Sequence, residues 1–376
     1  MLEDSVKIQE SDKEKKPLYN RKDVNDILKR VKIIEAFEEI DIGSRHGKIT
    51  AILIPNGHMN GSVSVLIKDG VTKKNTLFTG DIGRPNQLTC GGYNEYSSKY
   101  PDCRIHTILT ESTCFEKDPV SFSEREINIF NAVTKTAQRG GVSVMPLIAG
   151  RLAPTMEIFH NDQECRGQFL DYHFYMDAPL PRKVLKVHQD LGPDYMSNWY
   201  GDDPCFYKTK ENSMSRFNIK NLTIVESHEQ SKLLVEHLAY SSEKAIVFAS
   251  GGMVTRGRSV NYRSGKFNQN PNNSFILTCF QVPGTRGAEM IKEIENGKVE
   301  RKTAEVIWAD GNSSHASGHE LIDFYKRFNL NSLENFILGH GREPARETGS
   351  REIQKEDFAE YTSIFLPKLR QIVAIG

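Results

Sequence analysis

Several short apolar runs in this sequence stop at a His, an Asp or a Glu. Gly57-His58 follows AILIP, Gly80-Asp81 follows LF, and Glu111-Ser112-Thr113 follows TIL. Ser314-His315 comes a short loop after VIW, and Gly339-His340-Gly341 follows FIL. The carboxyl ends of strands are where an α/β protein places its reactive groups. Imidazole and carboxylate suit zinc and similar ions. Groups not spent on metal can act as general acid or base. A single His at a strand end is more often a hydrogen-bonded structural residue, and Gly-Asp is a common turn pair. No two of these groups lie close in sequence, so the argument rests on the set.

Two glycine-rich loops add a second chemistry. Ala249-Ser250-Gly251-Gly252-Met253 runs into Thr255-Arg256-Gly257-Arg258. Successive backbone N–H groups in such a turn form a nest for an anion, and the arginines add charge. A plain tight turn fits the same residues. Gln281-Val282-Pro283-Gly284-Thr285-Arg286-Gly287 is another small-residue loop after a strand.

The elements around these residues read as α/β. Up to about Lys16 the chain is polar and reads as mobile. Apolar residues from Val24 to Val31 follow helical spacing within the stretch 22–40. KITAILIP, SVSVLIK, NTLFTG and IHTILTES read as strands, with the Asp-Gly of KDGVTKKN as a hairpin turn. Ser123 with Glu126 has capping-box spacing for a helix that ends at Gly140-Gly141. Strand VSVMPLI, a helix from about Leu152, an irregular stretch 161–222, a helix capped by Ser227 and Gln230, and strand AIVFAS follow. Strands SFILTCF, AEVIWA and NFILG then alternate with helices, and an amphipathic helix ends the chain. Such alternation predicts a parallel sheet.

The composition is that of a globular protein: 376 residues, 26% charged, 49 basic against 49 acidic side chains. It excludes a disordered chain, a collagen, a disulfide-dense mini-protein and a strongly cationic nucleic-acid coat, but not a local basic groove. No apolar run approaches the ~18–20 residues of a membrane span. The charged N-terminus is not a signal peptide. The six cysteines show no C-x-x-C pair and read as reduced thiols in a cytoplasm.

Taken in order, these pieces resemble the metallo-β-lactamase-fold nucleases of the β-CASP family, over nearly the whole chain. GHMNGSVSVLI is similar to the third metal motif, with His58 at its zinc-binding position. LFTGDIGR is similar to the fourth, with Asp81 as the bridging Asp. ILTESTC, SSHASGHEL and ILGHG resemble the three β-CASP motifs, with Glu111, His315 and His340 at their functional positions. ASGGMVTRGRSVNY, ILTCFQVPGTRGAEM and VMPLIAGR match further signatures of the substrate cleft. His at the third β-CASP position is the RNA-acting pattern.

The resemblance implies an α/β fold: a partial metallo-β-lactamase αββα sandwich over 1–115 and 271–376, with a β-CASP α/β domain inserted at 116–270. It implies a zinc-dependent phosphodiester hydrolase of RNA, with two zinc ions. Asp81, Glu111 and His315 would be catalytic, and His58, Asp81 and His340 metal ligands. Arg151, Ser250, Gly251, Gly252, Arg256, Arg258 and Ser314 would bind substrate. Besides RNA, the partners implied are a second copy of the chain or a complementing N-terminal fragment, with no membrane.

One feature departs from the family. The signature His-x-His-x-Asp-His is absent: no two of the eleven histidines are two apart. MLEDSVKIQESD resembles a family segment well after that motif, which implies a chain shortened at its N-terminus. The expectation is weak metal binding and little hydrolysis by this chain alone. A non-catalytic β-CASP scaffold or RNA-binding subunit is the alternative.

Overall fold

The computed structural model of the protein describes residues 2–11, 17–43, 47–85, 87, 90, 92–93, 98–116, 120–187, 217–297 and 303–368. The chain opens with helices α1 (Leu2–Ser11) and α2 (Arg21–Leu28), then strands β1 (Glu39–Asp41), β2 (Ile49–Pro55), β3 (Val63–Asp69), β4 (Asn75–Phe78) and β5 (Thr107–Glu111). Helix α3 (Phe122–Gln138), β6 (Ser143–Leu147), α4 (Leu152–Cys165), β7 (His173–Asp177) and β8 (Leu222–Ile224) follow. Next are α5 (His228–Ala239), β9 (Ala245–Ser250), α6 (Ser259–Ser264), β10 (Ser274–Leu277), α7 (Arg286–Glu295) and β11 (Glu305–Trp308). Helix α8 (Gly318–Tyr325), β12 (Asn335–His340), α9 (Glu343–Ile353) and β13 (Ser363–Phe365) complete it.

The strands form two sheets. The first is seven-stranded, in the order β1-β2-β3-β4-β5-β12-β13. Its β1 to β4 pairings are antiparallel, and β4, β5, β12 and β13 run parallel. The Asp69 carboxylate accepts from the Val71 amide at 2.7 Å and tightens the β3–β4 hairpin. The second sheet is six-stranded, β11-β10-β6-β9-β7-β8, and parallel throughout.

The second sheet is buried on both faces, as its continuous apolar runs require. Met145, Leu147, Phe174, Met176, Ile246, Phe248 and Ile276 point into one core with α3 and α4. The alternate residues Val144, Tyr175, Val247, Ala249, Phe275 and Leu277 point into another with α5, α6 and α7. The first sheet buries Ile52, Ile54, Leu66, Leu77, Ile108, Phe336 and Leu338 against α8 and α9. No helix among the described residues is long and apolar enough to cross a membrane.

Some sequence expectations give way here. Residues 2–11, read as mobile, are helical. Asn20 caps α2 by accepting from the Lys22 and Asp23 amides, and the helix ends at Leu28. Further on, Glu39–Asp41 pairs with β2, so ladder bonds replace the expected continuation. Ser121, not Ser123, caps α3: its backbone is extended and its hydroxyl accepts from the Glu124 amide at 3.1 Å. β10 and β11, expected to return to the lactamase-like sheet after residue 270, join the second sheet instead. β10 is buried throughout and pairs with β6, and β11 pairs with β10 as the edge strand, so the return comes after Trp308. After α9, β13 pairs with β12, and the chain end 369–376, where the expected closing helix would fall, lies outside the described residues. Of the irregular stretch 161–222, residues 188–216 lie outside the described residues.

Candidate functional site

Strand direction gathers the reactive groups. β2 is antiparallel to β3, which is antiparallel to β4, so β2, β4, β5 and β12 all point the same way. Their carboxyl ends carry His58, Asp81, Glu111 and His340 to one edge of the sheet. His315 arrives through a bridge between Gly83 and His315, with the Ala316 amide donating to the Ile82 carbonyl. Gly83 is required there, because a Cβ would lie 1.8 Å from the Gly57 carbonyl oxygen. The Thr79 carbonyl accepts from Asn56 Nδ2 and Ser64 Oγ, which fixes the turn before Asp81.

The five side chains face one another. His340 Nδ1 lies 2.8 Å from Asp81 Oδ1, and His58 Nε2 lies 4.0 Å from Asp81 Oδ2. Glu111 is buried: one oxygen accepts from the Ile82 amide at 2.5 Å, and the other is 2.7 Å from His315 Nδ1. The His58 and His315 rings are 4.6 Å apart between centroids, and His315 and His340 are 6.2 Å apart. Ser314 Oγ is 3.2 Å from His58 Nδ1. Two groups of ligand atoms therefore fall within 4.8 Å of one another, His58–Asp81–His315 and Asp81–Glu111–His340, with Asp81 common to both.

The environment separates the two inner imidazoles. Burial pushes His58 down to about 4, helped by the positive charge of His315 and Arg151, against the pull of Asp81 and Glu111. It stays neutral at physiological pH, with a lone pair to offer. Burial acts on His315 in the same sense, but its bond and charge attraction to Glu111 outweigh that and raise it.

The second sheet closes the other side. In its strand order β6 lies between β9 and β10, a switch point at whose carboxyl end ligands bind in open α/β sheets. Arg151, expected on the substrate, is 5% exposed and reaches the His58 carbonyl at 3.5 Å. It holds the His58 loop from behind, because the short turn after β6 points it into the junction. The expected nest at 250–252 is largely spent on the fold. The Gly251 amide donates to the Leu147 carbonyl, and Ser250 Oγ accepts from the Arg258 amide. The Gly252 carbonyl accepts from Gln281. Arg258 is paired with buried Asp177 at 3.5 Å and lies 2.7 Å from His228 Nδ1. Arg256 is exposed and enters no ion pair among the described residues, which leaves it available to a phosphate.

Sequence reading missed the supports. Gln87 Nε2 donates to the Gly57 and Ser314 carbonyls and ties the two loops together. Ser112 donates to the His340 carbonyl through both its amide and its hydroxyl. Gly341 permits this approach, since a Cβ there would meet Ser112 Oγ at 2.4 Å. Ser112 and Gly341 lie inside the quoted motifs, which gave them no supporting role; nothing local marks Gln87.

Residues 156–290 match the Beta-Casp domain family. The wider chain is 27% identical over 346 residues to the Probable RNase MJ4 of Methanocaldococcus jannaschii, covering 91% of this chain and 72% of that protein. The chain therefore carries a β-CASP domain within an α/β fold that resembles the metallo-β-lactamase type. Transcription termination factor FttA of Pyrococcus abyssi is 27% identical over 354 residues, covering 91% of this chain and 51% of that one. An RNase J-like protein of M. jannaschii is 24% identical over 334 residues, covering 86% and 70%. The chain thus spans about half of the termination factor and some 70% of the two RNase-named relatives.

Proposed function

We propose that this chain is an RNA-binding member of the metal-dependent phosphodiester-hydrolase lineage, with little hydrolytic activity by itself. The observation that carries the reading is the meeting of His58, Asp81 and His340 on one rim, beside the Glu111–His315 pair. The ribonuclease names of its relatives support RNA as the substrate class.

The donor chemistry fits zinc, since imidazole and carboxylate are its ordinary ligands. The number of donors fits one loosely held ion better than two. Glu111 is committed to His315 and to the Ile82 amide, so His58, Asp81 and His340 remain. When bound, such an ion polarises a phosphodiester and supplies an activated water. The chain's own residues do the rest. Glu111 raises the proton affinity of His315 against the opposing effect of burial, which favours a second nitrogen that donates to a phosphate or leaving oxygen. Ser314 orients His58, and Arg256 holds a neighbouring phosphate. The second reading, a scaffold that binds RNA without cleaving it, is favoured by the same short donor set.

Metal analysis of the purified chain tests this. At most about one weakly held zinc is expected, lost in Asp81→Ala. Well over one tightly bound zinc, or turnover of a labelled RNA abolished by His340→Ala, would contradict it.

A further inference from the structure

We propose that the Phe280 ring is a stacking platform for a nucleobase of single-stranded RNA, an inference that rests on the RNA reading above. The ring lies where the two sheets meet. Phe280 follows β10 of the six-stranded sheet, and the Arg342 guanidinium sits 5.7 Å from its centroid. Arg342 comes from the seven-stranded sheet, two residues beyond His340, so at most about 7 Å of chain separates the two. The contact therefore brings the ring to the edge of the site where His340 meets Asp81.

The chain holds this ring out. Cys279 and Gln281 on either side of it are buried. Gln281 Nε2 donates to the Gly252 and Cys279 carbonyls, and the Val282 amide donates to Met253 Sδ at 3.4 Å. With its neighbours pinned, Phe280 stays 40% exposed and joins none of the three cores. Ile148, just past β6, and Val282 are exposed as well. β6 and β10 are parallel neighbours, so these side chains share one carboxyl edge. Gly252 links them, since a Cβ there would lie 2.7 Å from Ile148 Cγ2. Two cations border the patch. Arg342 is one, shared with Glu116 at 2.7 Å. Arg256 is the other, on a loop tied to this one by the Arg286 amide, which donates to Thr255 Oγ1. A fixed aromatic face beside cations is how proteins bind single strands without reading sequence. A protein partner needs about 800 Å² on each side, more than three side chains offer, so the patch fits a base rather than a protein face.

Anisotropy of a labelled single-stranded oligoadenylate, titrated with the full chain in chelator, tests this. Phe280→Ala should weaken binding by roughly 5- to 150-fold. Its salt slope should stay that of the unsubstituted chain, because no charge is lost, whereas Arg256→Ala should flatten the slope. Phe280→Trp should keep the affinity. Phe280→Leu keeps apolar area without the π-face and should lose affinity as Ala does. Duplex RNA, whose bases are already stacked on one another, should bind the unsubstituted chain and Phe280→Ala equally. A single strand that binds Phe280→Ala or Phe280→Leu as tightly as the unsubstituted chain would overturn the platform and leave the RNA reading intact, as would an equal loss on the duplex. RNA that does not bind the unsubstituted chain at all would remove both.

Discussion

The six-stranded sheet is clad on both faces, and the seven-stranded sheet on one. On the far face of the seven-stranded sheet, cross-strand neighbours Leu53, Val65, Phe78, Leu109, Ile337 and Phe365 form an apolar row. Phe78 is 40% exposed and Leu109 36%. In the other sheet the corresponding central residues, Val247 and Phe248, have no exposure. Yet the sheet with the thinner cladding carries His58, Asp81, Glu111 and His340, while the fully clad one supplies loops in which Ser250, Gly251 and Arg258 are paired and Arg256 is not. Stability and chemistry are thus divided between the two regions. Catalytic-type side chains sit on the sheet whose far face leaves Phe78 and Leu109 exposed among the described residues.

Substitutions that treat the two sheets alike should show how unlike they are. Val247→Asp buries an unpaired charge in the six-stranded sheet and should abolish cooperative unfolding, a loss above about 4 kcal/mol. Leu109→Asp, on the far face of the other sheet, should cost under about 1 kcal/mol in a denaturant titration; equal losses would break the comparison. Phe248→Ala should cost about 3–5 kcal/mol, and Phe78→Ala about 1 kcal/mol or less.

The site itself gives smaller, pH-dependent effects, best read on metal-free protein. His58 is held below its unfolded value, so the unfolded chain takes up the proton first. Its contribution is present above pH ~6.5 and is lost as pH falls toward about 4. His58→Gln should flatten that part of the stability profile between pH 7 and 4. His315 has the opposite sign: its raised value stabilises at low pH, and that contribution fades as pH rises through it. Glu111→Gln removes the bond that opposes burial, so the His315 resonance in an NMR titration should move from above its ordinary value to below it. A His315 titration unaffected by Glu111→Gln would show that the pair does not set its charge.

Much of this was legible in the residues. Strands from AILIP to FIL show themselves through β-branched runs, and the acids and imidazoles through their place at strand ends. The capped helix at Ser227 shows itself through a Ser-x-x-Gln spacing. Other features were not legible, because local pattern does not say which sheet a strand joins. β10 and β11 read like any buried parallel strand, and only their pairing with β6 assigns them. Arg151 and Arg258 look alike as cations beside glycines. Their difference lies in partners far along the chain, the His58 carbonyl and Asp177.

Sequence alone determined the chemical inventory: imidazoles and carboxylates at strand ends, glycines in the turns beside them, and the missing His-x-His-x-Asp-His. Tertiary structure decided which of these meet. Sheet pairing gives four strands one direction, and that common direction brings Asp81 and His340, 259 residues apart in sequence, to 2.8 Å from one another. It also decided which arginine remains available for a phosphate, because pairing consumes a charge that composition only counts.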